Sequence, residues 1–162
     1  LFPYTTLFRS GHDTARKIAI LASLVSGKKF SYEQVSCEGI TNVTQQDIKD
    51  AEAQGMSIKL LGVYEAETQS VNVAPYLVPS NSPLYGVNDV FNGIMITGNM
   101  VDNLMFYGRG AGKLPTASAV VSDVIECVKT LGHNVKDGLE DLKPVASVNS
   151  PAKPEGQKFR VL

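Results

Sequence analysis

The sequence is short of net charge, of long apolar runs and of the side chains that build the commonest catalytic sites, and each shortage removes a class of function. Its 15 Lys and Arg residues nearly balance 16 Asp and Glu, a net charge of −1. Bulk electrostatics therefore draws it neither to nucleic acid nor to an anionic membrane. No apolar stretch approaches the roughly 20 residues that cross a bilayer as a helix. Cys37 and Cys127 are the only cysteines. They lack metal-ligand spacing and form no close-spaced framework, so both read as packing residues of a protein kept in a reducing cytoplasm. His12 and His133 are the only histidines, both expected in solvent, and no Ser-His-Asp arrangement or metal cluster can be assembled. Two phosphate-binding motifs also fail. A Walker A loop needs glycine and Ser or Thr where Tyr107 and Leu114 stand. A dinucleotide fingerprint needs glycine at Lys113, then a βαβ unit with an acidic residue beyond it.

What remains is ordinary globular chain. Its 162 residues, 43% hydrophobic and 19% charged, suffice for one domain with its own core. Residues 1–10 (LFPYTTLFRS) show no helical or strand period, are too short for a signal peptide and read as a non-native leader. A helix is expected from Gly11 to Gly27, with Asp13 in its first turn. A second opens at Thr44 in the manner of a capping box, Asp47 taking the Glu or Gln position, and stops at Gly55. Strands are expected over 58–65 and 70–78 around the turn 66–69, then over 90–98 and 103–107. Pro115 opens a third helix, with Val120, Val121, Val124, Ile125, Val128 and Leu131 at helical spacing. Residues 133–157 are polar and proline-rich, a linker by composition, and 158–162 read as a strand that has just started. The order predicts an α+β fold, a mixed β-sheet with helices packed on one face.

Two features could carry chemistry. Asp13 and Lys17 are four residues apart and share a helix face. At about 100° per residue, Ile20, Leu21, Leu24 and Val25 form the helix's apolar arc and Lys17 falls near its middle. A lysine there is costly to bury unless a carboxylate compensates it or it opens into a polar pocket. One reading is an i,i+4 salt bridge with a snorkelling stem. The other is a lysine tuned for proton transfer. The second feature is the turn Gly108-Arg109-Gly110-Ala111-Gly112 ahead of Pro115 and Thr116. It reads either as a plain strand-to-helix turn or as small residues at a helix start where an anionic ligand can approach the backbone.

The segment Gly11-His12-Asp13-Thr14-Ala15-Arg16-Lys17 resembles the G-x-D-x-x-x-K signature helix of homoserine dehydrogenases. Four further blocks are similar, in the family's order: Glu38-Gly39-Ile40 with Asp47-Ile48, Ile58-Lys59-Leu60-Leu61, Val90-Phe91-Asn92-Gly93-Ile94, and Gly108 to Asp123 (GRGAGKLPTASAVVSD). The resemblance spans Gly11 to about Leu131 and makes residues 11–132 the family's catalytic domain. It implies interconversion of L-homoserine and L-aspartate 4-semialdehyde with NADP or NAD, in the biosynthesis of threonine, methionine and isoleucine. By the same resemblance Lys17 is proton donor and acceptor at the substrate oxygen, and Asp13 binds substrate and sets the lysine's charge. Gly110, Ala111, Gly112 and Thr116 resemble the turn that closes on the cofactor. A cytoplasmic homodimer with no nucleic-acid or membrane partner is implied, and 158–162 resemble the first strand of an appended ACT domain. The family's acidic segment before Gly11 and its G-x-G-x-x-G domain have no counterpart in these residues. They read as a fragment, inactive by itself. Two alternatives stay open: a non-catalytic module for oligomerisation or amino-acid sensing, and one half of a bifunctional aspartokinase–homoserine dehydrogenase.

Overall fold

The structure, a computed structural model, describes residues 9–131, 142–150 and 157–162. They divide into two compact units, one of Leu1–Pro79 with Asp137–Leu162, the other of Ser80–Lys136.

The first unit is a four-stranded mixed sheet carrying two helices. Strand β3 (Ser70–Pro79) is central and buried along nearly its whole length. Strand β2 (Met56–Glu65) pairs with it antiparallel across the expected turn, where Gln69 adopts a left-handed φ of 52°. Two short strands run parallel to β3. Strand β1 (Ser36–Cys37) pairs at Asn72 and Val73, and strand β6 (Arg160–Val161) pairs at Tyr76 and Leu77. Neither pairing has a local signal, because a two-residue strand carries no periodicity.

Helix α1 (His12–Ser26) ends at Gly27, whose φ of 66° is the left-handed conformation of a glycine stop. It meets the sheet through Ala15, Ala19, Ala22 and Ser23, all buried. Small side chains bring the helix close to Val71 and Val73, which are 0% and 1% exposed. Burial of each valine is worth about 1.5–3 kcal/mol. Gly62 of β2 makes the same approach possible: a Cβ there would sit 2.9 Å from Ile18 Cβ and 3.1 Å from Thr14 Cγ2.

Helix α2 (Gln45–Ala53) begins as its sequence requires. Thr44 Oγ1 accepts from the Asp47 N–H at 3.2 Å and Asp47 Oδ2 accepts from the Thr44 N–H at 2.7 Å, a reciprocal capping box. Asp47 also accepts from Lys158 Nζ at 2.5 Å. The Lys158 hydrogen bond, and then those from Thr44, hold its carboxyl below the ordinary 3.8, at about 2. A depressed carboxylate stabilises the fold above its ordinary value, and that contribution is lost as pH falls from about 3.8 through about 2. The Asp47 Cγ resonance should accordingly titrate with a midpoint near 2 and move back toward 3.8 in Lys158→Gln. An unchanged midpoint in the variant would assign the depression to Thr44 alone.

The segment that composition assigns to a linker lies partly against this unit. Among its described residues, 142–150, the Val145 N–H donates to the Lys29 carbonyl at 3.0 Å, and Asn149 accepts from the Val71 N–H at 3.2 Å. Val145 and Val148 pack on the core. Two valines and these backbone hydrogen bonds dock a segment that its prolines and polar residues mark as loop. At the other end, the Arg9 carbonyl accepts from the Ile40 N–H at 2.8 Å, so Arg9 and Ser10 pack with the unit; residues 1–8 lie outside the described residues.

The second unit holds the antiparallel hairpin β4 (Phe91–Gly98) and β5 (Asp102–Arg109), with Ile94 opposite Phe106 and Ile96 opposite Leu104. Helix α3 (Lys113–Thr130) follows, starting two residues earlier than Pro115 suggests. Proline is accommodated at the third helical position because that N–H has no partner within the helix anyway. None of the described residues of α3 is buried, and Cys127 on it is exposed, which overturns its reading as a packing residue. The α+β class stands, with strands divided between two sheets. No helix among the described residues is long and apolar enough to cross a membrane. His12 is exposed as expected; His133 lies outside the described residues.

Candidate functional site

The first candidate site sits at the start of α1. Gly11 precedes the helix with a φ of 85°, and a Cβ on it would meet Cys37 Sγ at 2.9 Å and Val73 Cγ1 at 3.0 Å. Left-handed backbone and tight packing thus both require glycine at this position. One turn on, Lys17 Nζ lies 2.7 Å from Asp13 Oδ2. The pair is realised as the i,i+4 spacing predicts.

Its surroundings differ from the sequence reading. The arc of large apolar residues around Lys17 is not the buried face of α1: Ile20, Leu24 and Val25 are 52–63% exposed, and the Lys17 side chain is 62% exposed. The helix packs through alanines instead, because close approach to β2 and β3 favours the smallest side chains over the most hydrophobic ones. Lys17 is therefore not a buried lysine, and what distinguishes it is access beside a fixed carboxylate. An accessible ammonium has one donor engaged by Asp13 and others directed outward. An adjacent half-exposed carboxylate fixes its position. Such a pair can hold a polar small molecule and pass it a proton. As a contribution to folding it is slight, since exposed i,i+4 pairs are worth about 0.3–0.5 kcal/mol.

The second candidate site lies in the second unit, between β5 and α3. Gly112 precedes the helix with φ 120° and ψ 160°, a conformation open essentially to glycine. Gly110 has a different constraint: a Cβ there would fall 1.4 Å from Asn92 Nδ2. Nothing lies within 4 Å of a Cβ built on Gly108. Arg109, Ala111, Gly112, Lys113 and Ser118 line an open concavity over the helix start. The N–H groups of Lys113 and Leu114 belong to the first turn, where no helical carbonyl accepts them. The exposed Thr116 donates its N–H to the Gly112 carbonyl at 3.1 Å. Two cationic side chains, small residues and a helix start suit the phosphate of a dinucleotide.

Sequence reasoning missed the contacts that join 158–162 to the first unit. Lys158 reaches Asp47 across 111 positions, and Arg160 Nη1 stands 3.8 Å from Glu38 Oε2. Cys37, half-buried beside the core, directs its Sγ at the Ser10 carbonyl at 3.3 Å, and burial pushes its thiol up from the ordinary range. No local pattern announces pairs so far apart in sequence. No group of three or more metal-ligating side chains occurs among the described residues.

The family model for homoserine dehydrogenase matches residues 9–125. A homoserine dehydrogenase of Synechocystis is 48% identical over 124 residues, and one of Corynebacterium glutamicum 42% identical over 130; the matches take 73% and 76% of this chain. The chain spans 29% of the length of each of these curated relatives. Among solved structures, the Thiobacillus denitrificans homoserine dehydrogenase superposes with a TM-score of 0.72 at 31% identity, over 86% of this chain and 35% of that one. The Staphylococcus aureus enzyme at pH 6.5 gives 0.67 at 36% identity, over 83% and 35%.

Proposed function

The chain belongs to the homoserine dehydrogenase family, and on that premise we propose that it supplies the substrate-binding and proton-transfer groups of an oxidoreductase interconverting L-homoserine and L-aspartate 4-semialdehyde. The observation that carries this reading is the Asp13–Lys17 pair, 2.7 Å apart and open to solvent on the signature helix. In the reducing direction the Lys17 ammonium donates its proton to the aldehyde oxygen as the carbonyl carbon is reduced. In the oxidising direction the neutral amine takes the hydroxyl proton back. Asp13 keeps Lys17 in place and presents its second carboxylate oxygen to the substrate's α-ammonium.

NADPH or NADH would supply the hydride for reduction, and NADP or NAD would accept it in the oxidising direction. The residues of this chain that would meet the dinucleotide are Gly110, Ala111, Gly112 and Thr116, with Arg109 and Lys113 drawing its negative charge toward the helix start. The reading carries a homodimer as well, supported by one hairpin face on which Ile94, Ile96, Leu104 and Phe106 are all 40–56% exposed. A cytoplasmic location and a place in threonine, methionine and isoleucine biosynthesis belong to the same proposal.

The 162 residues contain no G-x-G-x-x-G unit, so the chain by itself is expected to turn over neither substrate. Residues 11–131 grafted in place of the matching segment of the Synechocystis relative should restore reduction of L-aspartate 4-semialdehyde with NADPH or NADH. A graft that folds and binds dinucleotide yet leaves the aldehyde unreduced would overturn the proposal.

A further inference from the structure

The strands β1 and β6 lie end to end along one edge of β3, and Glu38 and Arg160 stand at their junction. Cys37, the last residue of β1, is level with Val73, and the Glu38 N–H donates to the Val73 carbonyl at 2.7 Å. Arg160, the first residue of β6, is level with Tyr76. Arg160 is largely buried, its side chain 15% exposed, and its Nη1 is 3.8 Å from Glu38 Oε2. The segment that Glu38 opens then receives the chain leading into α1. Gly39 lies under Arg9 and Ser10, Ile40 donates to the Arg9 carbonyl at 2.8 Å, and Cys37 Sγ faces both the Ser10 carbonyl and Gly11. Gly11 is two residues from Asp13. A run of direct contacts thus leads from Arg160 through Glu38 and Gly39 to the first turn of α1.

The geometry points to Arg160 as a positioning residue for the Asp13–Lys17 pair, acting through Glu38 and the 37–40 segment on which the start of α1 is seated. This rests on the proposed role of that pair. Arg160 fixes the platform, and the platform fixes where the first helical turn begins. Lys158 of the same segment supplies an internal comparison, because its partner Asp47 caps α2 through Thr44.

The test uses the full 162-residue chain. In Arg160→Gln, amide hydrogen exchange at Ile40 and Ala15 should accelerate about fivefold, the effect of losing a modest ion pair locally. Exchange in the β2–β3 ladder should not change. The Asp13 Cγ and Lys17 Nζ resonances should shift, Arg160→Lys should restore them, and Lys158→Gln should leave them at their original positions. Glu38→Gln should reproduce the Arg160→Gln pattern, and it decides the matter if Arg160→Gln does not fold. Uniform acceleration over the whole sheet, unmoved Asp13 and Lys17 resonances, or an equal effect from Lys158→Gln would each overturn the inference. These readouts report the geometry of the pair whether or not Lys17 transfers a proton, so failure here is distinguishable from failure of the proposed activity.

Discussion

Gly39→Ala should cost the chain about 3 kcal/mol, at the upper end of the usual range for overpacking, and a melting temperature lowered by about 6–12 °C at this chain length. A Cβ at position 39 would lie 2.3 Å from the Arg9 carbonyl oxygen, 2.8 Å from Ser10 Cα and 3.0 Å from Ser10 C. All three atoms are backbone, so no rotamer change relieves the clash. Either the chain before α1 lifts off and the Ile40–Arg9 hydrogen bond breaks, or the segment after β1 moves and pulls Glu38 from the Val73 carbonyl. Gly86→Ala is the matched control, since nothing lies within 4 Å of a Cβ there, and its melt should stay near that of the parent. Equal melts for the two variants would show that the 9–10 and 38–40 segments are not held together as described.

That glycine illustrates how far the sequence could be read. The block Glu38-Gly39-Ile40 stands out by resemblance, but the reason for its glycine lies 30 positions upstream in the chain that crosses it. Local signals were clear where the cause is local. The Thr44–Asp47 capping box, the Gly27 stop and the 66–69 turn each involve residues within four positions of one another, and all were legible. Strand β1 was not, because two residues on the edge of β3 leave no alternation to detect, and at 158–162 a strand was legible but its parallel pairing with β3 was not. Nor was the buried face of α1. Hydrophobicity at helical spacing pointed to Ile20, Leu21, Leu24 and Val25, whereas close packing on a sheet with Gly62 in it selected alanine. The Asp13–Lys17 spacing was legible and its exposure was not, since exposure depends on which arc the sheet takes. At the glycine turn the sequence showed small residues without separating their duties. Gly110 gives room to Asn92, Gly112 takes a φ of 120°, and only Gly108 faces open space.

The exposure of the pair sharpens the central test. An exposed i,i+4 salt bridge contributes about 0.3–0.5 kcal/mol to folding, so Lys17→Ala should leave the melt almost unmoved. Removal of a general acid or base costs about 10²–10⁴ in rate. The two roles of Lys17, structural and chemical, therefore predict effects that differ by orders of magnitude in separate measurements. Binding should change little, because Asp13 and the rest of the site remain. The decisive measurement is the single-turnover rate of aldehyde reduction at saturating L-aspartate 4-semialdehyde and dinucleotide, made on the Synechocystis graft and its Lys17→Ala variant with melts of both. The expected result is a rate lower by about 10²–10⁴ in the variant at an unchanged melting temperature, and a variant reducing the aldehyde at a near-parental rate would contradict the assignment of Lys17 as the proton-transfer group.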